Sequence, residues 1–256
     1  MFILDEIIAY KKKEVEALKK RRPIREKDIK IRPSHDVFSR ALVKPDRISI
    51  IAEIKRASPS AGVIRSSFEP ERIANIYEKN GASAISVLTE RRFFNGDIDY
   101  LPLIKKAVDL PVLRKDFIID PYQIYESNIY GADALLLIAT ALSFNILKDL
   151  LELTNKLGME ALIEVHNKDD LKKAVSAGAN VIGINNRDLK TLKVDLNTSL
   201  ELINHIPEGK VVVAESGINT KEELLTLKKA GFNAALIGTS LMRAEDIGEK
   251  LKEFTI

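Results

Sequence analysis

The chain has 256 residues with 40 Lys/Arg against 37 Asp/Glu, a formal net charge of +3, and 45% hydrophobic residues. That is the make-up of a soluble globular chain long enough to bury a substantial core. The absence of cysteine excludes disulfides, thiolate metal sites and a cysteine nucleophile.

Residues 1–33 hold eleven Lys/Arg and six Asp/Glu, so the positive charge is concentrated at the start. A basic arm of this kind can bind nucleic acid. Leu4, Ile7, Ile8, Val15 and Leu18 nevertheless follow helical spacing. An amphipathic helix would put Lys11, Lys12, Lys13 and residues 19–22 mostly on its solvated face, so no nucleic-acid partner is expected. Residues 1–20 carry Asp5 and Glu6 and lack a secretory core. The longest apolar stretch, 134–142, is far too short to cross a bilayer. A cytoplasmic chain with no membrane partner is the expectation.

A polar connector with Pro23 and Pro33 leads to a short helix around 37–42. From there, β-branched runs begin near 48, 84, 111, 134, 160, 180, 210 and 234. Amphipathic helical stretches lie between them, for example at 70–79, 101–108, 145–157, 169–177 and 221–230. Strands alternating with helices imply parallel βαβ units. The segments Asn80-Gly-Ala-Ser-Ala, Tyr130-Gly-Ala-Asp-Ala, Ala177-Gly-Ala-Asn-Val and Ala230-Gly-Phe-Asn-Ala each close a helix and open a strand. Their glycines suit the left-handed position after a helix. Eight runs without a break, and no Gly-x-Gly-x-x-Gly after the first, favour a single (β/α)8 TIM barrel over an open doubly wound sheet. Residues 1–256 are read as one barrel domain, with 1–47 as an N-terminal helical extension.

The runs end in polar residues or glycine: Glu53 and Lys55, then Arg114, Lys115 and Asp116, then Glu164, Asn185 to Arg187, Glu215 to Gly217, and Gly238 with Thr239. Buried charges are costly unless paired, so these ends call for one shared polar pocket at the C-terminal mouth of the barrel. Glycine turns after the seventh and eighth strands, Ser216-Gly217 and Gly238-Thr239, suit a phosphate held by backbone N–H groups. Glu53 and Lys55 share a strand face, and with Lys115 and Glu164 they form the acid–base inventory. Ser58-Pro59-Ser60-Ala61-Gly62 reads as a long mobile loop, a lid or phosphate contact. Phe94 and Phe117 can wall an aromatic substrate, and Asn185 and Arg187 can bond hydroxyls or a carboxylate. His166, two residues beyond Glu164, is read as supporting the site rather than as catalytic. His35, His166 and His205 form no ligand spacing, so no metal is expected.

Several blocks resemble the indole-3-glycerol phosphate synthase family of tryptophan biosynthesis. They are Ile51-Ala-Glu-Ile-Lys-Arg-Ala-Ser-Pro-Ser60, Leu88-Thr-Glu90 with Phe94-Asn-Gly96, Leu113-Arg-Lys-Asp-Phe117 and Leu162-Ile-Glu-Val-His166. Ile182-Gly-Ile-Asn-Asn-Arg-Asp-Leu189, Val213-Ala-Glu-Ser-Gly-Ile218 and Ile237-Gly-Thr-Ser-Leu-Met242 continue the series in order across about residues 2–245. Ile3-Leu-Asp-Glu-Ile-Ile8 is similar to the family's leading helix; Ala61 departs from it, where many members carry lysine.

The resemblance implies ring closure of 1-(o-carboxyphenylamino)-1-deoxyribulose 5-phosphate with loss of carbon dioxide and water, with no cofactor. It makes Lys115 the acid, oriented by Glu53, and Lys55 the partner of the substrate carboxylate. Glu164 becomes the base of the dehydration, with Lys55 a candidate acid for that step. Asn185, Arg187, Leu189, Glu215 and Leu136 or Leu137 would position the substrate, with Ser58, Pro59, Phe94 and Phe117. Ser216, Gly217, Gly238 and Thr239 would hold the phosphate. A monomer acting on a phosphorylated, anionic small molecule is expected. The enzymatic alternative is a phosphoribosylanthranilate isomerase-like barrel, a chemistry usually served by a Cys–Asp pair. The alternative of another class is a nucleic-acid-binding protein using the basic arm.

Overall fold

The computed structural model describes residues 3–33 and 36–255; His35 lies outside them. Eight parallel strands close a barrel: β1 Ser49–Ile54, β2 Ala84–Leu88, β3 Val112–Lys115, β4 Ala134–Ile138, β5 Glu160–Val165, β6 Val181–Asn185, β7 Val211–Glu215 and β8 Ala234–Ile237. Each strand pairs with its sequence neighbours, and β1 closes the ring by pairing with both β8 and β2.

The apolar runs are nearly continuous because both faces of every strand are buried. Ile51, Leu113, Leu136, Leu162, Val213 and Leu236 pack inside the barrel, while Ile50, Leu135, Leu137, Ile163, Val212 and Ala235 pack beneath the helices. This period-2 division decides which polar residue reaches the pocket.

Two helices precede the barrel, α1 Ile3–Arg21 and α2 Val37–Leu42. α2 plugs the N-terminal mouth, where Phe38 and Leu42 join the interior cluster. Its first turn is satisfied from across the barrel: Glu160 Oε2 accepts the backbone N–H of Phe38 at 2.8 Å and of Ser39 at 3.0 Å. The outer ring is α3 Pro70–Lys79, α4 Tyr100–Ala107, α5 Pro121–Ile129, α6 Phe144–Lys156, α7 Lys168–Ala177, α8 Asn197–Leu202 and α9 Lys221–Ala230. The short α10 Thr239–Arg243 and α11 Ile247–Phe254 follow. Side-chain caps start several of them: Asp120 accepts from Tyr122 N, Asn167 from Asp170 N, and Thr220 with Glu223 forms a capping box. Gly81, Gly131, Gly178 and Gly231 all take positive φ, as the repeated helix-to-strand segments require.

One detail departs from the sequence reading. The segment after β1 is not an irregular loop, because Ala57–Ser58 pairs antiparallel with Gly62–Val63 around a turn at 59–61. Helix α5 fills its place in the strand–helix alternation with little apolar periodicity. α5 buries the polar side chains of Gln123, Glu126, Ser127 and Asn128 instead.

Candidate active site

Alternation carries the inner face of each strand from apolar to polar at its C-terminal end. Ile51 is followed two residues on by Glu53, Leu113 by Lys115, Leu162 by Glu164 and Val213 by Glu215. The opposite parity sends Arg114 and Asp116 outward, so the charged end of β3 splits between two environments. Arg114 is bonded on the outer side by Asp116 at 3.0 Å, Glu126 at 2.9 Å, the Ser127 hydroxyl and the Gln123 carbonyl.

Glu53, Glu164 and Glu215 are 4%, 2% and 1% exposed, so only close partners can keep them charged. Two glycines make room for them. A Cβ on Gly183 would overlap Glu215 Oε1, and one on Gly238 would overlap Glu53 Oε1. Lys55 Nζ lies 2.6 Å from Glu53 Oε1. Lys115 Nζ sits between two carboxylates, 3.0 Å from Glu164 Oε2 and 3.1 Å from Glu215 Oε2. Lys115 is therefore oriented by Glu164 and Glu215, while Glu53 turns to Lys55, in contrast to the arrangement the resemblance implies.

Burial alone would neutralise Lys115, but Glu164, Glu215 and Glu53 outweigh it and hold the ammonium charged. Burial likewise drives both carboxyls upward. At Glu164 the charges of Lys115 and His166 win, helped by a hydrogen bond from Asn185, and the group stays ionised. At Glu215 burial prevails over Lys115, repulsion from Glu164 adds to it, and the carboxyl is pushed up to about 8. The two carboxyls titrate as a pair, with burial and mutual repulsion favouring the protonated form at Glu215 and Lys115 the ionised form at Glu164. Asn185 is aimed by its own loop, because its Oδ1 accepts the Arg187 N–H at 3.0 Å and leaves the amide free to face Glu164.

An aromatic wall stands over these charges. The Phe94 and Phe117 rings lie 6.1 Å apart, tilted by 39°. Buried Glu90 fixes the first by accepting the N–H groups of Arg92, Phe93 and Phe94, and Asp116 Oδ1 accepts that of Phe117. Lys11 of α1 joins both loops, 3.0 Å from Asp116 and 4.0 Å from Glu90. The lysine is only 3% exposed, so its expected place on the solvated face is corrected. Its position falls on the helix stripe of Leu4, Ile7 and Val15, which faces the barrel. Lys12 and Lys13 are exposed, as expected.

At the far end, Ser216 and Gly217 both take left-handed φ, and Gly238 caps α10, whose first residue is Thr239. Arg187 and Leu189 lie on the loop after β6, where Arg187 forms a bridge with Val194 and donates to the Leu192 carbonyl at 3.0 Å. A single cavity of about 500 Å³ brings together Lys55, Lys115 and the three glutamates with these phosphate-side turns. Ser58, Pro59, Phe94, Phe117, Asn185, Arg187 and Leu189 line the same space. So does Leu136, whereas Leu137 packs beneath the helices. Ile3, Leu4 and Ile7 of α1 also line it, which the sequence reading missed. The missed signal was a lysine, Lys11, standing in the middle of an apolar stripe.

The family model for indole-3-glycerol phosphate synthase matches residues 4–254. The chain belongs to the indole-3-glycerol phosphate synthase family. A member from Alkaliphilus metalliredigens is 50% identical over 253 residues, covering 98% of this chain and 97% of its own. One from Acetivibrio thermocellus is 51% identical over 256 residues, covering 98% of each. Among solved structures, 3-hexulose-6-phosphate synthase from Salmonella typhimurium superposes with a TM-score of 0.66 at 10% identity, over 81% of this chain and 96% of that one. At that identity the likeness is one of fold. The polar cavity of this family member sits at the C-terminal mouth of the barrel, where such folds carry their sites.

Proposed function

We propose that this cavity converts 1-(o-carboxyphenylamino)-1-deoxyribulose 5-phosphate to indole-3-glycerol phosphate, the family's carboxy-lyase reaction in tryptophan biosynthesis. The observation that carries the reading is Lys115 clasped between Glu164 and Glu215 beside an aromatic wall. With Glu215 holding a proton, Lys55 and Lys115 balance Glu53 and Glu164, and Arg187 adds a positive charge at the rim. Such a pocket favours an anionic, phosphorylated aromatic ligand.

The substrate ring lies against Phe94 and Phe117, and its phosphate meets the N–H groups of Ser216, Gly217, Gly238 and Thr239. Lys55 exchanges Glu53 for the substrate carboxylate. As the ring carbon attacks the ketone, the developing alkoxide is far more basic than an amine, so an ammonium held firmly charged can still protonate it. Lys115 supplies that proton, and carbon dioxide then departs. Glu164, kept ionised, removes the proton that dehydration requires, with Lys55 the acid for the departing hydroxyl. Asn185, Arg187, Leu189, Leu136 and Glu215 fix the chain and ring, and Ser58 and Pro59 close the rim.

The same reading treats 1–256 as one barrel domain with 1–47 as its extension, since α1 completes the cavity wall. One chain supplies every group in the scheme, which supports a monomer. Lys11 and Lys19 are engaged by Asp116 and Asp120, which speaks against α1 as a nucleic-acid arm. A biosynthetic role on a small phosphorylated metabolite supports a cytoplasmic location.

Fluorescence of the indole product tests the proposal directly. Lys115→Met and Glu164→Gln should each lower turnover by roughly 10²–10⁴-fold, the usual contribution of a positioned acid or base. Turnover near that of the parent in Lys115→Met would remove that residue from the role of acid.

A further inference from the structure

His166 stands behind Glu164 on the side away from Lys115. Its Nε2 is 3.4 Å from Glu164 Oε1, while Lys115 holds Oε2. The ring nitrogen is buried and has no hydrogen-bond partner of good geometry. The other nitrogen, Nδ1, lies 3.2 Å from Thr140 Oγ1, in the turn Ala139–Ala141 after β4.

The protonation of the ring follows from counting hydrogens. Thr140 Oγ1 donates to Asp170 Oδ2 at 2.5 Å. A hydroxyl has one hydrogen, so towards His166 it can only accept, and Nδ1 must be the donor. Asp170 is an acceptor on every side: it takes Asn167 Nδ2 at 3.0 Å and His166 N at 3.4 Å, and Lys173 Nζ lies 3.7 Å from its other oxygen. A neutral ring would therefore leave a bare, buried Nε2 lone pair 3.4 Å from a carboxylate oxygen, two acceptors in near contact. A second ring proton on Nε2 removes that conflict.

We propose that His166, as an imidazolium anchored by Thr140 and Asp170, is the positioning residue that keeps Glu164 ionised and turns its Oε2 towards Lys115 and the cavity. The proposal rests on Glu164 being the base. The groups facing the ring are Glu164 on β5 and Asp170 and Lys173 on α7, with Lys115 of β3 and Glu215 of β7 on the far side of Glu164. Lys173 is occupied by the carbonyls of Ala139 and Leu142 as well as by Asp170, and Lys115 holds Oε2, which leaves His166 as the basic side chain beside Glu164 Oε1. His166 takes no part in lining the cavity, and it acts only through Glu164.

The test is the pH dependence of kcat for indole formation in His166→Ala, His166→Gln and Glu164→Gln, with KM and thermal midpoint measured alongside. Loss of the cation should move the acid limb of His166→Ala to higher pH by about one unit, the scale of one close opposite charge. Turnover on the acid side then falls about tenfold, while KM stays within about twofold. His166→Gln restores a donor for Glu164 but no charge, so it should recover turnover at high pH and keep the displaced limb. An acid limb unchanged in both His166 variants would overturn the proposal, whatever happens to the thermal midpoint. Glu164→Gln separates the two readings. If it abolishes turnover while the His166 variants keep the parent profile, Glu164 stands as the base and His166 falls. If it retains turnover, the assignment of the base itself is wrong.

Discussion

Lys11→Met removes one buried ammonium and leaves the shape of the stem. In the parent, Nζ lies 2.6 Å from Glu14, 3.0 Å from Asp116 and 4.0 Å from Glu90, and the side chain is almost wholly dry. Deleting one partner of a buried pair costs about 3–5 kcal/mol, because the other charge is left without compensation. Two features place this case at the lower end. Asp116 keeps Arg114 at 3.0 Å and the Thr89 hydroxyl at 2.7 Å, and Glu14 is close enough to solvent to be hydrated. A loss of about 3 kcal/mol follows, equivalent to about 6–12 °C in thermal midpoint for a chain of this size. Circular-dichroism melts of both proteins at several pH values measure it.

The pH dependence has a definite sign. Burial would raise the Asp116 carboxyl, but Lys11 and Arg114 hold it well below the usual carboxylate range. Its stabilisation is present above the ordinary aspartate value and is lost as pH falls towards the depressed folded value. Burial would lower Lys11, but Asp116 and Glu14 raise it, so its share is present below the ordinary lysine value and is lost as pH rises through the raised one. The gap between parent and variant should therefore be flat from about pH 4 to 10 and narrow at both extremes. A midpoint shift under about 2 °C at pH 7 would refute the account of Lys11 as a buried tie.

Gly238→Ala drives a methyl into the Glu53 carboxylate, so it should cost about 1–3 kcal/mol by overpacking and lower kcat by breaking the Glu53–Lys55 pair; melts and steady-state kinetics check both. Glu215→Gln tests the raised carboxyl. The parent's Glu215 is stabilising below the ordinary carboxylate value and loses that contribution as pH rises towards about 8, so the variant should gain in relative midpoint between pH 5 and pH 9. Glu160→Ala takes away the acceptor for two N–H groups of α2 and should cost about 1–2 kcal/mol in chemical denaturation, with kcat unchanged because the site lies at the opposite mouth.

Much of the molecule was legible as pattern. Eight doubly buried strands give uninterrupted apolar runs, and helices closed by left-handed glycines mark the returns between them. The polar run ends announced a pocket because nothing else makes a row of buried carboxylates affordable. Local signals failed where polar residues were buried for a tertiary reason, as in α5, whose Asn128 bonds Lys30 far back along the chain while Gln123 and Ser127 bond the loop and strand just before the helix.

The sequence by itself determined the alternation of strands and helices, the family, and the residue types available to the reaction. Only the tertiary structure decided which neighbour each charge met. Parity along β3 sent Lys115 inward and Arg114 outward, and a glycine on β6 and another just after β8 gave Glu215 and Glu53 their space. Lys11 became a buried tie rather than a surface charge because α1 laid its apolar stripe across loops about 80 to 100 residues away. Coulomb forces and desolvation act over a few ångströms of space, and sequence separation carries no information about that distance.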